Sequence, residues 1–169
     1  DRRRPRCKRR RVVRGRRRHV SGPHGHGRRG RGHLRRRPIQ LLRCTLRDLT
    51  GSAASGNVHA TDCAILDNGW GLQAFGAAVG CTFSGNANWA AIGTYAPVGP
   101  TVSGCAFTGN GLGGLKLVAF DSPAEAELTV TRCIFVGDTL QLSVIGGDSV
   151  VSHCSFLDAS LKFLQGQVH

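Results

Sequence analysis

The sequence predicts an all-β fold: a right-handed parallel β-helix of about six coils over residues 39–169, preceded by a disordered Arg-rich segment at 1–38. Three observations carry the prediction. Cysteine recurs at a nearly fixed interval, an apolar residue follows each cysteine at a spacing of two, and Asn or Asp follows the four middle ones at a spacing of five. Self-similarity at about twenty residues marks a chain of stacked supersecondary units, each too small to bury its apolar side alone.

The cysteines of the repeat stand at 44, 63, 81, 105, 133 and 154, at intervals of 19, 18, 24, 28 and 21 residues. Two places after them come Leu46, Ile65, Phe83, Phe107, Phe135 and Phe156. Residues two apart in a strand share a side, so Cys and the following apolar residue face inward together. The residue between them is mostly small or polar (Thr45, Ala64, Thr82, Ala106, Ile134, Ser155) and faces out.

Five places after the cysteine come Asn68, Asn86, Asn110 and Asp138, while in the first and last units the acid sits one place earlier, at Asp48 and Asp158. Asn tolerates turn conformations and hydrogen-bonds to its like above and below. A second short apolar strand follows, at 71–72, 91–92, 114–117, 140–142 and 161–163. Each coil thus holds two or three strands, and coils stack at about 4.8 Å. The expected core is three ladders: Cys63, Cys81, Cys105, Cys133 and Cys154 as thiols; Phe83, Phe107, Phe135 and Phe156 as rings; and Asn68, Asn86 and Asn110 at the turn. Crossovers between parallel strands are right-handed in nearly all proteins.

Charge divides the chain. Residues 1–47 hold 20 of its 23 Lys and Arg against one acid, a balance of +19, whereas residues 48–169 carry −6. The Arg- and Gly-rich head has two readings: a grip on nucleic-acid phosphates, or GC-rich DNA read in the wrong frame. In both it lacks the apolar surface to order itself. The basic run is followed by no apolar stretch of the signal-peptide kind. Residues 68–115 carry no charge, but Gly, Asn, Thr, Ser and Pro interrupt them too often for a spanning helix. Seven cysteines without a single C-x-x-C give no zinc spacing, and no residue set asks for a cofactor.

The pattern V-x-x-C-x-F-x-x-N followed by G-L-x-L, clearest at 102–117, resembles the right-handed parallel β-helix proteins of the pectate-lyase-like superfamily, over about 39–169. The resemblance implies a secreted or surface-attached protein, of which this chain is a fragment, and a structural or carbohydrate-associated role. The alternatives are a piece of a polysaccharide lyase or hydrolase whose active residues lie elsewhere, and nucleic-acid binding through the head.

Lyases of this superfamily set an acidic calcium cluster beside an Arg or Lys base on one sheet. Here the outward strand position before each cysteine reads Arg43, Asp62, Gly80, Gly104, Arg132 and His153. Asp62 and Arg132 fall three coils apart, about 14 Å, too far to act on one bond. Polygalacturonases carry a G-H-G, matched by Gly25-His26-Gly27, but that triplet lies upstream of the coils and the paired aspartates are missing.

No catalytic residue is expected. The candidate saccharide contacts are Trp70, Trp89 and Tyr95, near the first of two lengthened units at 87–101 and 118–129, because aromatic rings on loops stack on sugars. The same rings equally cover the core edge. Asp121, Glu125 and Glu127 offer oxygens to Ca²⁺, and equally serve solubility. The expected partner is a polysaccharide, with nucleic acid added if the head is genuine. The sequence sets no oligomeric state.

Overall fold

The computed structural model describes residues 38–94, 99–119, 128–144 and 149–165; the reading of residues 1–37 lies outside them. Among the described residues eighteen strands follow one another with no helix between them. The first rung is β1 (Ile39–Leu42), β2 (Thr45–Arg47) and β3 (Ser52–Ser55); the second is β4 (Val58–Thr61), β5 (Ala64–Leu66) and β6 (Trp70–Gln73). The third is β7 (Ala77–Val79), β8 (Thr82–Ser84) and β9 (Trp89–Thr94); the fourth is β10 (Thr101–Ser103), β11 (Ala106–Thr108) and β12 (Gly113–Ala119). The fifth is β13 (Leu128–Thr131), β14 (Ile134–Val136) and β15 (Thr139–Val144); the sixth is β16 (Ser149–Ser152), β17 (Ser155–Leu157) and β18 (Ser160–Gln165).

First strands pair only with first strands, second with second and third with third, all parallel, giving three six-stranded sheets A, B and C. The chain is therefore a parallel β-solenoid of six rungs, about five full turns from first to last. Register follows the repeat: Val102 lies between Ala78 and Val130, and Phe107 between Phe83 and Phe135.

The cysteines sit at the corner between sheets A and B rather than inside a strand. The residue before each one takes a left-handed conformation in every rung: Arg43, Asp62, Gly80, Gly104, Arg132 and His153, all at φ of 50–62°. This row, expected as outward strand positions, is a row of corners. It turns the chain so that strands of only three or four residues suffice. Each thiol then faces the core and donates to the carbonyl two residues earlier, from Cys63 to Thr61 at 3.2 Å and from Cys105 to Ser103 at 3.4 Å, for example. All six are thiols with no disulfide among them.

A second left-handed corner lies four residues after each cysteine, at Asp48, Asp67, Gly85, Gly109, Gly137 and Asp158. Asp48 and Asp158 are thus corner residues, and the ladder position beside them is filled by Leu49 and Ala159. The Asn side chains bind inward from the place just beyond the corner. Asn68 Nδ2 donates to Asn86 Oδ1 at 3.1 Å, Asn86 Nδ2 to Asn110 Oδ1 at 2.8 Å, and Asn110 Nδ2 to Asp138 Oδ2 at 2.7 Å. Each Asn amide also caps a carbonyl of the rung before it, those of Leu46, Ile65 and Phe83. The run has one direction and ends on a carboxylate. Buried polar groups are costly unless paired, and here the pairing fixes the register of four rungs.

The phenyl rings stack nearly parallel, 4.8 Å apart from Phe83 to Phe107 and from Phe107 to Phe135, and 5.0 Å from Phe135 to Phe156. Phe75, which the repeat does not mark, is also fully buried, beside the corner at Ala74 between sheets C and A.

Candidate functional site

The three corners of each rung are unequal. The turn from A to B keeps one length in every rung, a left-handed residue followed by the cysteine, whereas the turn from B to C shortens from four residues at 48–51 to two at 137–138. The longest additions fall where sheet C returns to sheet A, after β9 and after β12. The expected loops at 87–101 and 118–129 prove to be partly strand, since β9 runs to Thr94 and β12 to Ala119. Tyr95, Asp121, Glu125 and Glu127 lie outside the described residues.

Sheet C carries the two tryptophans. Trp70 is paired with Ser52, and the register of Leu72 with Ala91 sets Trp89 one rung above Trp70. Both are half-buried. Trp89 is paired with Gly113, where a Cβ would fall 2.7 Å from the Trp89 ring. That glycine lets the ring lie across the next rung. The Lys116 ammonium stands 5.8 Å from the centre of the Trp89 ring, within range of a cation–π contact.

Sequence reasoning missed the column that accompanies these rings. Pairing places Ser55, Gln73, Ile92, Lys116, Gln141 and Lys162 side by side up sheet C. The signal lay in the x of G-L-x-L, which faces out between two buried leucines. The strands of sheet C contain no Asp or Glu, yet hold two of the three basic residues beyond Arg47. In a body of net charge −6 this is the basic side. Amide and ammonium donors beside half-covered aromatic rings suit the hydroxyls and ring faces of a sugar.

Elsewhere charges are spread out. Arg43 meets Asp62 at 3.9 Å in the adjacent rung, and Arg132 stands three rungs above Asp62. A shallow depression of about 310 Å³ opens at the B–C corner beside Asp48, Asp67 and Asn68. Arg47 already pairs with both of those aspartates, at 2.9 and 3.2 Å. Among the described residues no three His, Cys, Asp or Glu gather as a metal set, and no helix is long and apolar enough to cross a membrane.

The thiols are the remaining reactive groups. Burial raises Cys63 and Cys154 above the ordinary thiol value. Cys105 is raised by its contacts with the Cys133 and Cys81 thiols and then by burial. Donation from Cys105 lowers Cys133, and lowers Cys81 to about 7. The line of sulphurs packs into the core. No family model matches the chain, nor does any curated protein or solved structure with which it was compared.

Proposed function

We propose that this solenoid is a non-catalytic, carbohydrate-associated scaffold of a secreted or surface-attached protein, related to the pectate-lyase-like β-helices, and that sheet C is its saccharide-contacting face. The observation that carries the reading is Trp70 and Trp89 in successive rungs, with Lys116 over the second and the Gln73–Lys162 column alongside. A chain of sugars has a repeat along its length, and a solenoid face offers the same kind of contact from rung to rung. The wide separation of Asp62 from Arg132 supports a binding role over bond cleavage.

The two tryptophans are the only ones in the chain, so its indole fluorescence reports on this face alone. Titration with neutral and uronate-containing oligosaccharides is expected to shift that emission, and Trp89→Ala with Trp70→Ala to abolish binding measured by calorimetry. Absence of any response to either class, or undiminished binding by the double variant, overturns the reading.

A further inference from the structure

The cysteine ladder differs from the phenyl ladder beside it in one chemical respect: its members can exchange a proton for a metal ion. Cys63, Cys81, Cys105 and Cys133 are buried, and each has a described rung on both sides. Their surroundings are set by those rungs, whatever precedes or follows the solenoid. The orientation of the thiols repeats. The sulphurs of Cys105, Cys133 and Cys154 each meet a carbonyl of the rung below, Ala78 O at 3.4 Å, Val102 O at 3.9 Å and Val130 O at 3.7 Å. Those three carbonyls are equivalent, three places before a cysteine. The sulphurs therefore point the same way and are separated by the rise of one rung, about 4.8 Å, as the phenyl rings are.

That spacing identifies the ion. Metal–thiolate bonds of about 2.3 Å, laid end to end, span about 4.6 Å, close to one rung. Soft thiolate ligands select copper(I), zinc and iron–sulphur clusters. Zinc and the clusters take four protein ligands, and among the described residues no three such groups gather. A straight ladder instead offers an ion two sulphurs, one below and one above. Copper(I), a closed-shell ion, accepts two thiolate-type ligands in a line.

One gap in the ladder is marked out from the others. The corners in front of Cys81 and Cys105 are Gly80 and Gly104, whereas the other four carry Arg43, Asp62, Arg132 and His153. Where a Gly104 side chain would begin, the nearest atoms are the backbone N and Cα of Gly80, at 3.9 and 4.0 Å, so the corner beside Cys105 is bare backbone. At Gly80 an Asp62 carboxylate oxygen comes within 2.7 Å of the same place, an anion at the entrance. Inside, the carbonyl oxygens of Val79, Ser103 and Ala78 each lie 3.4 Å from one of the two sulphurs. Carbonyl dipoles aimed at the pair oppose a bare thiolate and favour a cation.

We infer that Cys81 and Cys105 form a two-coordinate site for copper(I). Binding exchanges one cation for one proton: a thiol proton of the pair leaves to solvent, Cu⁺ bonds to the resulting thiolate, and the second sulphur contributes a lone pair. The metal keeps its oxidation state and the core gains no net charge. This does not depend on the saccharide reading.

The test titrates the full, reduced chain without oxygen against copper(I) held by a coloured chelator. The chain is expected to draw copper from the chelator and bleach it. X-ray absorption at the copper edge should then show two sulphur neighbours, and the melting temperature should rise because the ion binds the folded chain. Cys81→Ala and Cys105→Ala, verified as folded by circular dichroism, should lose the bleaching. Cys44→Ala and Cys154→Ala each remove a ladder thiol elsewhere and should keep it. A parent chain that takes no copper overturns the inference, as does copper held by three or more sulphurs. So does a melting temperature that falls on addition of copper, which indicates binding to the unfolded chain, or undiminished binding by Cys105→Ala.

Discussion

Replacing Phe107 by Ala removes the ring at the middle of the aromatic ladder, and its cost can be worked from position. The side chain is fully buried, with Phe83 and Phe135 each stacked at 4.8 Å. Truncating a buried phenyl ring costs about 3–5 kcal/mol. Losing two ring contacts, each worth about 0.5–1.5 kcal/mol, places Phe107 near the upper end. Phe156 is half-buried in the last rung with one ring neighbour, so its truncation should cost about half as much. Thr108, one residue along and exposed, should cost well under about 1 kcal/mol when changed to Ala. Guanidinium denaturation followed by circular dichroism measures all three. Because a solenoid's stability sums rung and interface contributions, Phe107→Ala should also broaden the transition by uncoupling the rungs on either side. Equal midpoints for Phe107→Ala and Thr108→Ala would show that the inward face is wrongly assigned. A Phe156 cost matching that of Phe107 would show that the ladder does not pack as a stack.

Asp138→Asn should stabilise the chain by about 1 kcal/mol in the same assay, because the new amide meets the Phe107 carbonyl as the other three amides meet theirs; a loss of stability would mean that the ladder needs its carboxylate terminus. Gly85→Ala should cost more than Gly109→Ala: both sit at φ of 62–66°, but only at Gly85 does a Cβ come within 2.4 Å of the Asp67 carboxylate, and equal melting temperatures would remove that contact from the account. Thiol titration of the denatured, unreduced chain should find at least six groups; in the native chain Cys154 should react ahead of the other five ladder thiols. Above the ordinary thiol value of 9.0, melting temperature should fall. Cys63, Cys105 and Cys154 hold their protons more tightly folded than unfolded, so their contribution is complete below that value and is lost as pH rises; a flat melting profile from pH 9 to about 10.5 would contradict it.

What could be read from the sequence was whatever repeats in residue type. The C-x-F pair and the Asn five places on specify two inward positions and a turn, and the fold keeps all three. The corners were hidden because Arg, Asp, Gly and His share one backbone conformation there while sharing no chemistry, so the row before the cysteines read as a solvent-facing strand position. β3 was hidden for a related reason. Its Ser-Ala-Ala-Ser has little apolar content, and it becomes a strand only because β6 pairs alongside it. Phe75 falls outside the repeat, in a corner that varies from rung to rung, and no spacing marks it.

The candidate site illustrates the same limit from the other side. Trp70 and Trp89 stood out as residues, but Lys116, Gln141 and Lys162 acquired meaning only through register. Between Trp89 and Lys162 the chain passes through intervals of 24, 28 and 21 residues between cysteines, and no fixed period aligns those side chains. The corner before the strand itself shortens from four residues at 109–112 to two at 137–138, and strand pairing alone sets Gln141 beside Lys116. Pairing within sheet C therefore keeps the column in line although the corner before it varies. The longest insertions follow β9 and β12, where sheet C returns to sheet A, so they lengthen the corner beside the strands that carry Trp89 and Lys116 without breaking the pairing of those strands.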